Sequence, residues 1–486
     1  MISVIYCTRE TNKKHSEHIS KSSGLSKHIE VIEIVNNGEA LTKAYNRGLN
    51  LAKNDIVVLM HDDVTFDTTG WGRKLIKHFD ENPEYGILGL AGTTDIALSG
   101  KWWEDRSKMV GIVNHEHNGK KWESKYSKSW GNELTEVLIV DGLFFAVHKN
   151  RIKERFDENI EGFHFYEIDF TFANHLKGVK IGVMYNIRVT HKSIGITNDQ
   201  WETNRLQFVK KFNDELPEKL VPDFYLPEDT NKNNKVNIKV VIQSFGDIEL
   251  FENLYKKIKS FGYEKLKISL ISNQENYDKY KNLGYEDVKV FKGWYDQLIK
   301  NLSILKFDTD FVNDEDELVV FMNDDINIIN NIFFNFSKVY LSNKENFGCV
   351  FPLSYNQNKT VFSSTLEIFS NKEGKIAVNM KDKETYYNVY YGTINNSIGN
   401  LSDCFATTPN NLKIVDWFNI NYETNLYFND FSLKLHLKNK QSFSDTNSLT
   451  IQKSFSDGPN IQKDLQNLVN FIGSNERLKK LVKVIE

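Results

Sequence analysis

Two tandem, doubly wound (Rossmann-like) α/β domains followed by a C-terminal helix are the fold that this 486-residue sequence predicts. Three observations carry that expectation. The chain repeats itself: IVVLMHDD at 56–63 answers LVVFMNDD at 318–325, and GILGLAG at 86–92 answers GCVFPLS at 348–354. YEIDFTFANHLKG, with Asp169, answers YFNDFSLKLHLKNK, with Asp430, at the same offset to within one residue. Three landmarks sharing one offset are hard to produce by chance and mark two copies of one folding unit. Short apolar runs alternate with helical spacing over the first sixty residues, the pattern of a sheet wound by crossover helices. The length also exceeds what one ordinary core fills, and two domains of more than 200 residues each fit it.

Each element follows from its own residues. ISVIYC (2–7) is a short, largely apolar run, as a parallel strand buried on both faces requires, and HIEVIEIVN (28–36) gives the second strand. In EALTKAYNRGLNLAK (39–53), Leu41, Ala44, Tyr45, Leu49 and Ala52 recur at helical spacing, with Gly48 a mild cost. IVVLM (56–60) is the third strand. Residues 86–91 and 137–147 read as further strands, separated by a polar, Trp-rich segment at 101–133. FTFANHLKG (170–178) reads as a helix closed by Gly178, and KIGVMYNIRVTH (180–191) as one strand. Prolines and a polar run place a linker at 216–235. The second unit restarts at VNIKVVIQSFGD (236–247), carries an acidic insert at 308–317 and runs to 460; residues 461–486 read as an amphipathic helix packing on its own domain.

Composition excludes several classes. Lys+Arg number 61 against Asp+Glu 65, a net charge of −4, so no basic excess points to nucleic acid. Cys7, Cys349 and Cys404 lack metal spacing and fit a reducing, cytoplasmic setting without disulfides. The start lacks the pattern of a signal peptide. No run reaches the about 18 apolar residues of a membrane span, so contact with the inner membrane face is peripheral at most.

The chemistry concentrates where strands end. His61-Asp62-Asp63 directly follows a buried strand, and the carboxyl ends of parallel strands are where such sheets bind ligands. Adjacent carboxylates there suit a hard divalent cation, although paired Asp residues are also common in solvated turns. Tyr166-Glu167-Ile168-Asp169 opens a helix, where acidic residues are also favoured simply by the dipole. His191 ends a strand and would add an imidazole to the same crevice, or be structural. Trp102, Trp103 and Trp130 precede the acidic motif; each could offer a ring face to a ligand or fill a core.

In that order, VIYCTRE (4–10), YNRG (45–48), MHDD (60–63), YEIDF (166–170) and THKS (190–193) resemble the motifs of GT-A-fold, family-2-like glycosyltransferases. The resemblance covers about residues 1–210 and, through the repeat, 236–455. Three positions depart from the pattern: His61 stands where Asp is usual, Arg9-Glu10 replaces the usual opening, and Asn36 takes the place of an Asp beside the base. The resemblance implies a catalytic GT-A domain at 1–215 and a second, degenerate GT-A-like domain at 236–460. It implies Mn2+ or Mg2+ held by Asp63 and His191, Asp62 near the ribose, and Thr8, Arg9, Asn36, Lys43 and Arg47 as further donor contacts. Glu167 falls on the base position of an inverting transferase, with Asp169 as runner-up, and Trp102, Trp103 and Trp130 face the acceptor. The partners so implied are a nucleotide sugar, a UDP-sugar first, and a glycan or lipid-linked acceptor in polysaccharide biosynthesis; self-association stays open.

Aligned on the repeat, Phe428 stands opposite Glu167 and Gln452 opposite His191, so the second copy keeps Asn323-Asp324-Asp325 but lacks a base and an imidazole ligand. Phe abstracts no proton and Gln is a poor transition-metal ligand. The alternatives are a bifunctional enzyme with both domains active, or a carbohydrate-binding scaffold. A sugar-nucleotide pyrophosphorylase is disfavoured because CTRETNKKHS has no glycine to form a phosphate loop.

Overall fold

The computed structural model describes the chain except for residues 27, 36–37, 127–133, 194, 196, 221–235, 245, 294–297, 308–316, 364–365, 371–375, 381–393, 398, 400–401, 425, 453–458, 482 and 485–486. It forms two compact units, dividing after residue 223.

The first unit begins β1 (Ile2–Thr8), α1 (Lys13–Ser23), β2 (Ile29–Val35), α2 (Leu41–Leu51), β3 (Ile56–His61), β4 (Val64–Phe66), α3 (Trp71–Glu81) and β5 (Tyr85–Gly89). It continues β6 (Ala91–Thr93), β7 (Asp95–Ile96), β8 (Met109–His117), β9 (Lys120–Tyr126), β10 (Leu134–Val137), β11 (Ile139–Val140) and β12 (Phe144–His148). It closes with α4 (Tyr166–Leu176), β13 (Lys180–Met184), β14 (Val189–His191), α5 (Asp199–Lys211) and β15 (Glu218–Lys219). The main sheet runs β10-β13-β5-β12-β3-β1-β2. β1 pairs in parallel with both β2 and β3. The chain therefore leaves β1 in opposite directions to reach its two neighbours, and the crevice opens outside the carboxyl ends of β1 and β3.

Burial decides why β3 is central. Ile56, Val57, Val58, Leu59 and Met60 are all buried, and a fully buried aliphatic side chain contributes about 1.5–3 kcal/mol. Burial is complete through Met60 and first relaxes at His61, where the polar residues start. α2 covers the sheet with Leu41, Ala44, Tyr45 and Leu49, the face its spacing predicts.

A second sheet, β11-β6-β8-β14-β4 with β9 on β8, stands beside the first. It corrects three expectations. Residues 180–191 are two strands: β13 joins the main sheet beside β5, while β14 pairs with β4 and β8. The run 137–147 is likewise broken, with Asp141-Gly142 between β11 and β12. The polar segment at 101–133 contains the β8–β9 hairpin, whose turn is Asn118-Gly119 with φ of 50° and 74°, the conformation a two-residue hairpin turn favours. The expected linker also starts late, since β15 pairs with β7 of the first unit.

In the second unit, the strand Ile238–Ser244 pairs in parallel with Leu266–Ser272 and Leu318–Asn323. Cys404–Thr407 follows antiparallel, then Phe347–Tyr355, which lies parallel to Gln441–Ile451. This is the strand order and direction of β2-β1-β3-β12-β5-β13, with Val288–Lys292 added at the edge. The acidic insert lies, but for Glu317, outside the described residues. The C-terminal helix is shorter than expected: it spans Pro459–Gly473, and Asn475 caps a separate turn, Glu476–Lys479. Leu468, Ile472 and Leu478 enter the core of the same unit.

Candidate functional site

The site of the first unit is assembled by strand register. His61 is the last residue of β3, and the chain turns through Asp62 and Asp63 into β4. β14 runs antiparallel to β4 with His191 opposite Val64, and the Lys192 N–H donates to the Asp63 carbonyl at 3.2 Å. The break that separates β14 from β13 is thus what delivers His191 to Asp63. Its Nε2 lies 3.3 Å from Asp63 Oδ1, 3.5 Å from His61 Nδ1 and 3.1 Å from Ser193 Oγ. One ligand atom from each of His61, Asp63 and His191 lies within 4.8 Å of the other two.

His61 was absent from the expected ligand set, and its orientation is fixed by a residue of the acidic motif. Tyr166 Oη donates to the Gly142 carbonyl at 3.0 Å, and the same hydroxyl lies 3.0 Å from His61 Nε2. A phenol has one proton, which the carbonyl takes, so His61 must be the donor to Tyr166. That places the proton on Nε2 and leaves the Nδ1 lone pair facing Asp63 and His191, the way an outer partner prepares a metal-binding imidazole. Gly142 is required here: a Cβ would lie 2.2 Å from Tyr166 Oη and 3.2 Å from the Glu167 carboxyl carbon. Removing the hydroxyl by Tyr166→Phe should weaken Mn2+ binding about 10–100-fold, measured by electron paramagnetic resonance of free Mn2+; unchanged affinity would show that Tyr166 does not orient a ligand.

Charges follow the geometry. Burial alone would raise the Asp63 carboxyl, but the hydrogen bond and charge of His191, with help from Ser193 and His61, hold it well below the usual carboxylate range. Burial opposes protonation of His191, yet Asp63 raises it above the ordinary imidazole value. His61 is depressed by burial and by the neighbouring His191 charge. Two imidazoles and one carboxylate suit a divalent transition-metal ion better than they suit Ca2+, which prefers oxygen ligands throughout, and binding would displace the His191 proton.

Glu167 sits beside Tyr166 on the same side of Gly142, in the first turn of α4. Burial, then the charge of Asp141, raises its carboxyl to about 8, against the hydrogen bonds of its own and Ile168's backbone N–H. Its buried Oε2 has no hydrogen-bond partner among the described residues. Asp141, which also acts on His61 and His191, was not anticipated. Asp169, two residues on, faces elsewhere because helical residues two apart do not share a face. Both of its oxygens accept from Lys211 Nζ at 2.9 Å, and Lys211 also reaches Asp157 at 2.7 Å. Asp169 thus ties α4 to α5.

The other expected residues are placed as follows. Asp62 is exposed, and its charge acts on Tyr6 and Cys7 of β1 and His15 of α1. Thr8 is buried at the end of β1, its hydroxyl donating to the Glu10 carbonyl at 2.9 Å, and Arg9 is exposed beside it. Lys43 and Arg47 are exposed on α2, with Arg47 paired to Glu39 at 2.8 Å. Trp102 packs edge-on against Trp103 and Tyr126 and is only 6 % exposed, so it fills the core. Trp103 is half-buried against Trp201. Asn36 and Trp130 lie outside the described residues.

The strand termini of this α/β unit therefore gather an imidazole–carboxylate cluster and a buried acid around one backbone turn, the layout of an enzyme domain. Residues 4–212 match a family model described as "Glycosyltransferase like family". The match spans most of the first unit and less than half of the chain. No relative was found among curated proteins. Solved structures that match include a crystal structure of GalNAc-T7 with UDP, GalNAc and Mn2+, at 12% identity and a TM-score of 0.36, over 49% of this chain and 48% of that one. The chain thus spans about half the length of that protein. Among the described residues, no helix is long and apolar enough to cross a membrane.

Proposed function

We propose that the first unit moves a sugar from a nucleotide-sugar donor, a UDP-sugar foremost, to a glycan or lipid-linked acceptor with inversion at the anomeric carbon. The observation that carries this reading is the convergence of His61, Asp63 and His191 beside the buried Glu167. His61, Asp63 and His191 would hold a divalent ion, Mn2+ or Mg2+, which when bound would neutralise the diphosphate leaving group. Asp62, Thr8, Arg9, Lys43 and Arg47 would contact the nucleotide on the β1 side. Glu167 takes the proton of the acceptor hydroxyl as its oxygen bonds the anomeric carbon and the bond to the leaving phosphate breaks. Asp169, committed to Lys211, keeps α4 in place.

The second unit reads as a degenerate copy, residues 236–460, in a supporting role. Phe428 packs against Phe405 with ring centroids 4.2 Å apart and planes tilted by 49°, and it is fully buried. Gln452 is used structurally, its Oε1 accepting from the Asp403 N–H at 2.9 Å. The Ser244 hydroxyl donates to the buried Asp324. Asp325→Ala is therefore expected to retain most transfer activity; its abolition in a folded variant would make this unit catalytic.

The reading is tested by thermal shift with a panel of nucleotide sugars and Mn2+, because a true donor stabilises the fold by mass action, together with release of free nucleoside diphosphate. A donor should raise the melting temperature only with metal present. If no nucleotide sugar stabilises the chain and none is hydrolysed, the proposal fails.

A further inference from the structure

The second sheet carries a feature that the cluster does not use. Its registers place Val64 opposite His191, His191 opposite His115, and His115 opposite Trp122. Cross-strand partners project from the same face of a sheet, so β4, β14, β8 and β9 present one row of side chains that starts beside Asp63 and ends on the hairpin. The rings follow one another: His61 to His191 at 5.5 Å, His191 to His115 at 6.1 Å, and His115 to Trp122 at 5.1 Å with the last two nearly parallel, 14° apart. The alternate residues Thr190, Asn114 and Glu123 make the opposite, polar face, where Asp67 accepts from Thr190 and Asn114, and Arg188 pairs with Glu123. That face is largely paired within itself, apart from the buried Arg188 Nε.

Trp122 is different. One side of its indole lies on His115, yet the residue is 41% exposed. A stacked, half-open indole beside a polar cluster offers an apolar face and a polar edge together. Next to it the buried Nδ1 of His115 has no hydrogen-bond partner among the described residues, and a ligand hydroxyl would satisfy it.

We infer that the β8–β9 hairpin is the acceptor surface of this domain, with Trp122 as the platform on which a pyranose ring of the acceptor stacks and His115 as a hydrogen-bonding partner to that ring. The inference rests on the transferase reading. It assigns the acceptor to this side because the row of rings runs from the cluster along β14, β8 and β9, away from β1 and α1, the side assigned to the nucleotide. An acceptor glycan of more than one residue lying along the row would have its reactive end at the cluster and a further ring on the indole.

The test uses the full chain labelled with 5-fluorotryptophan, the Trp122 resonance being assigned by its disappearance in Trp122→Phe. Methyl pyranosides of the common hexoses and N-acetylhexosamines are the probes. The Trp122 resonance should move saturably with at least one of them, and Trp122→Ala should raise the acceptor KM at least about fivefold, the effect of an aromatic contact near 1 kcal/mol, while Mn2+ affinity stays unchanged. A Trp122 resonance unmoved by every pyranoside overturns the inference. Mn2+ binding and nucleotide-sugar stabilisation, read on the same sample, report on the transferase reading separately: if they fail while Trp122 responds, the sugar platform stands and the catalytic proposal does not.

Discussion

Asp63→Ala should abolish metal binding and lower transfer at least about 10³-fold. The Lewis-acid contribution of a bound ion to such a transition state is several kcal/mol, and each ~1.4 kcal/mol is a factor of ten in rate. Asp63 supplies the only negative charge within the His61–Asp63–His191 set. Without it, two imidazoles remain, and the hydrogen bond that now raises His191 is gone, so His191 should return toward or below the ordinary imidazole value. Two readouts separate loss of chemistry from loss of fold. Electron paramagnetic resonance should show no bound Mn2+, and circular dichroism should show the metal-free protein still folded, its melt lowered at neutral pH by loss of the Asp63–His191 pair. Retained Mn2+ affinity would move the ion away from this cluster and remove the basis of the proposed mechanism.

How much of this site could be read in advance depends on which part of it is local in sequence. The strands β1 and β3 announce themselves because burial on both faces forces uninterrupted apolar runs, and the polar residues at 61–63 show where burial ends. Glu167 and His191 were legible as types at strand and helix ends. His61 was read as a departure, because its role depends on Tyr166 and Gly142, 105 and 81 positions away, and no periodicity links them. Asp141-Gly142 was hidden inside an apolar stretch that reads as one strand; a charged residue followed by glycine was the signal that the stretch breaks. The same holds for 180–191, where Asn186 interrupts two apolar segments that join different sheets. The β8–β9 hairpin did carry a local signal, Asn118-Gly119, but its strands are polar on one face and exposed at their ends, so hydrophobic alternation was weak. Trp102 shows the reverse failure: a large aromatic before an acidic motif looks functional, and packing decided otherwise.

Glu167→Gln should cost about 10²–10⁴-fold in transfer, the usual contribution of a positioned base, and should at the same time stabilise the metal-free protein. The second half follows from linkage. The folded-state carboxyl is raised to about 8 by burial and then by Asp141, well above its unfolded value near 4.3. Between those values the folded chain binds more protons than the unfolded chain, so stability falls as pH rises from about 4 to about 8. Glutamine keeps the shape and carries no charge to desolvate, so the variant should lose that decline, and the difference in melting temperature should widen up to about pH 8. The same raised carboxyl sets the sign of the activity profile: a base must be ionised, so kcat/KM of the wild type should climb with pH on its acid limb and level off once Glu167 is deprotonated. A bound cation nearby would move that limb to lower pH by favouring the anion. A residue that only packed at this position would give neither the widening stability gap nor the acid limb. Full transfer activity in Glu167→Gln would assign proton removal to another group, and Asp169, bonded through both oxygens to Lys211, would need to leave that pair to serve.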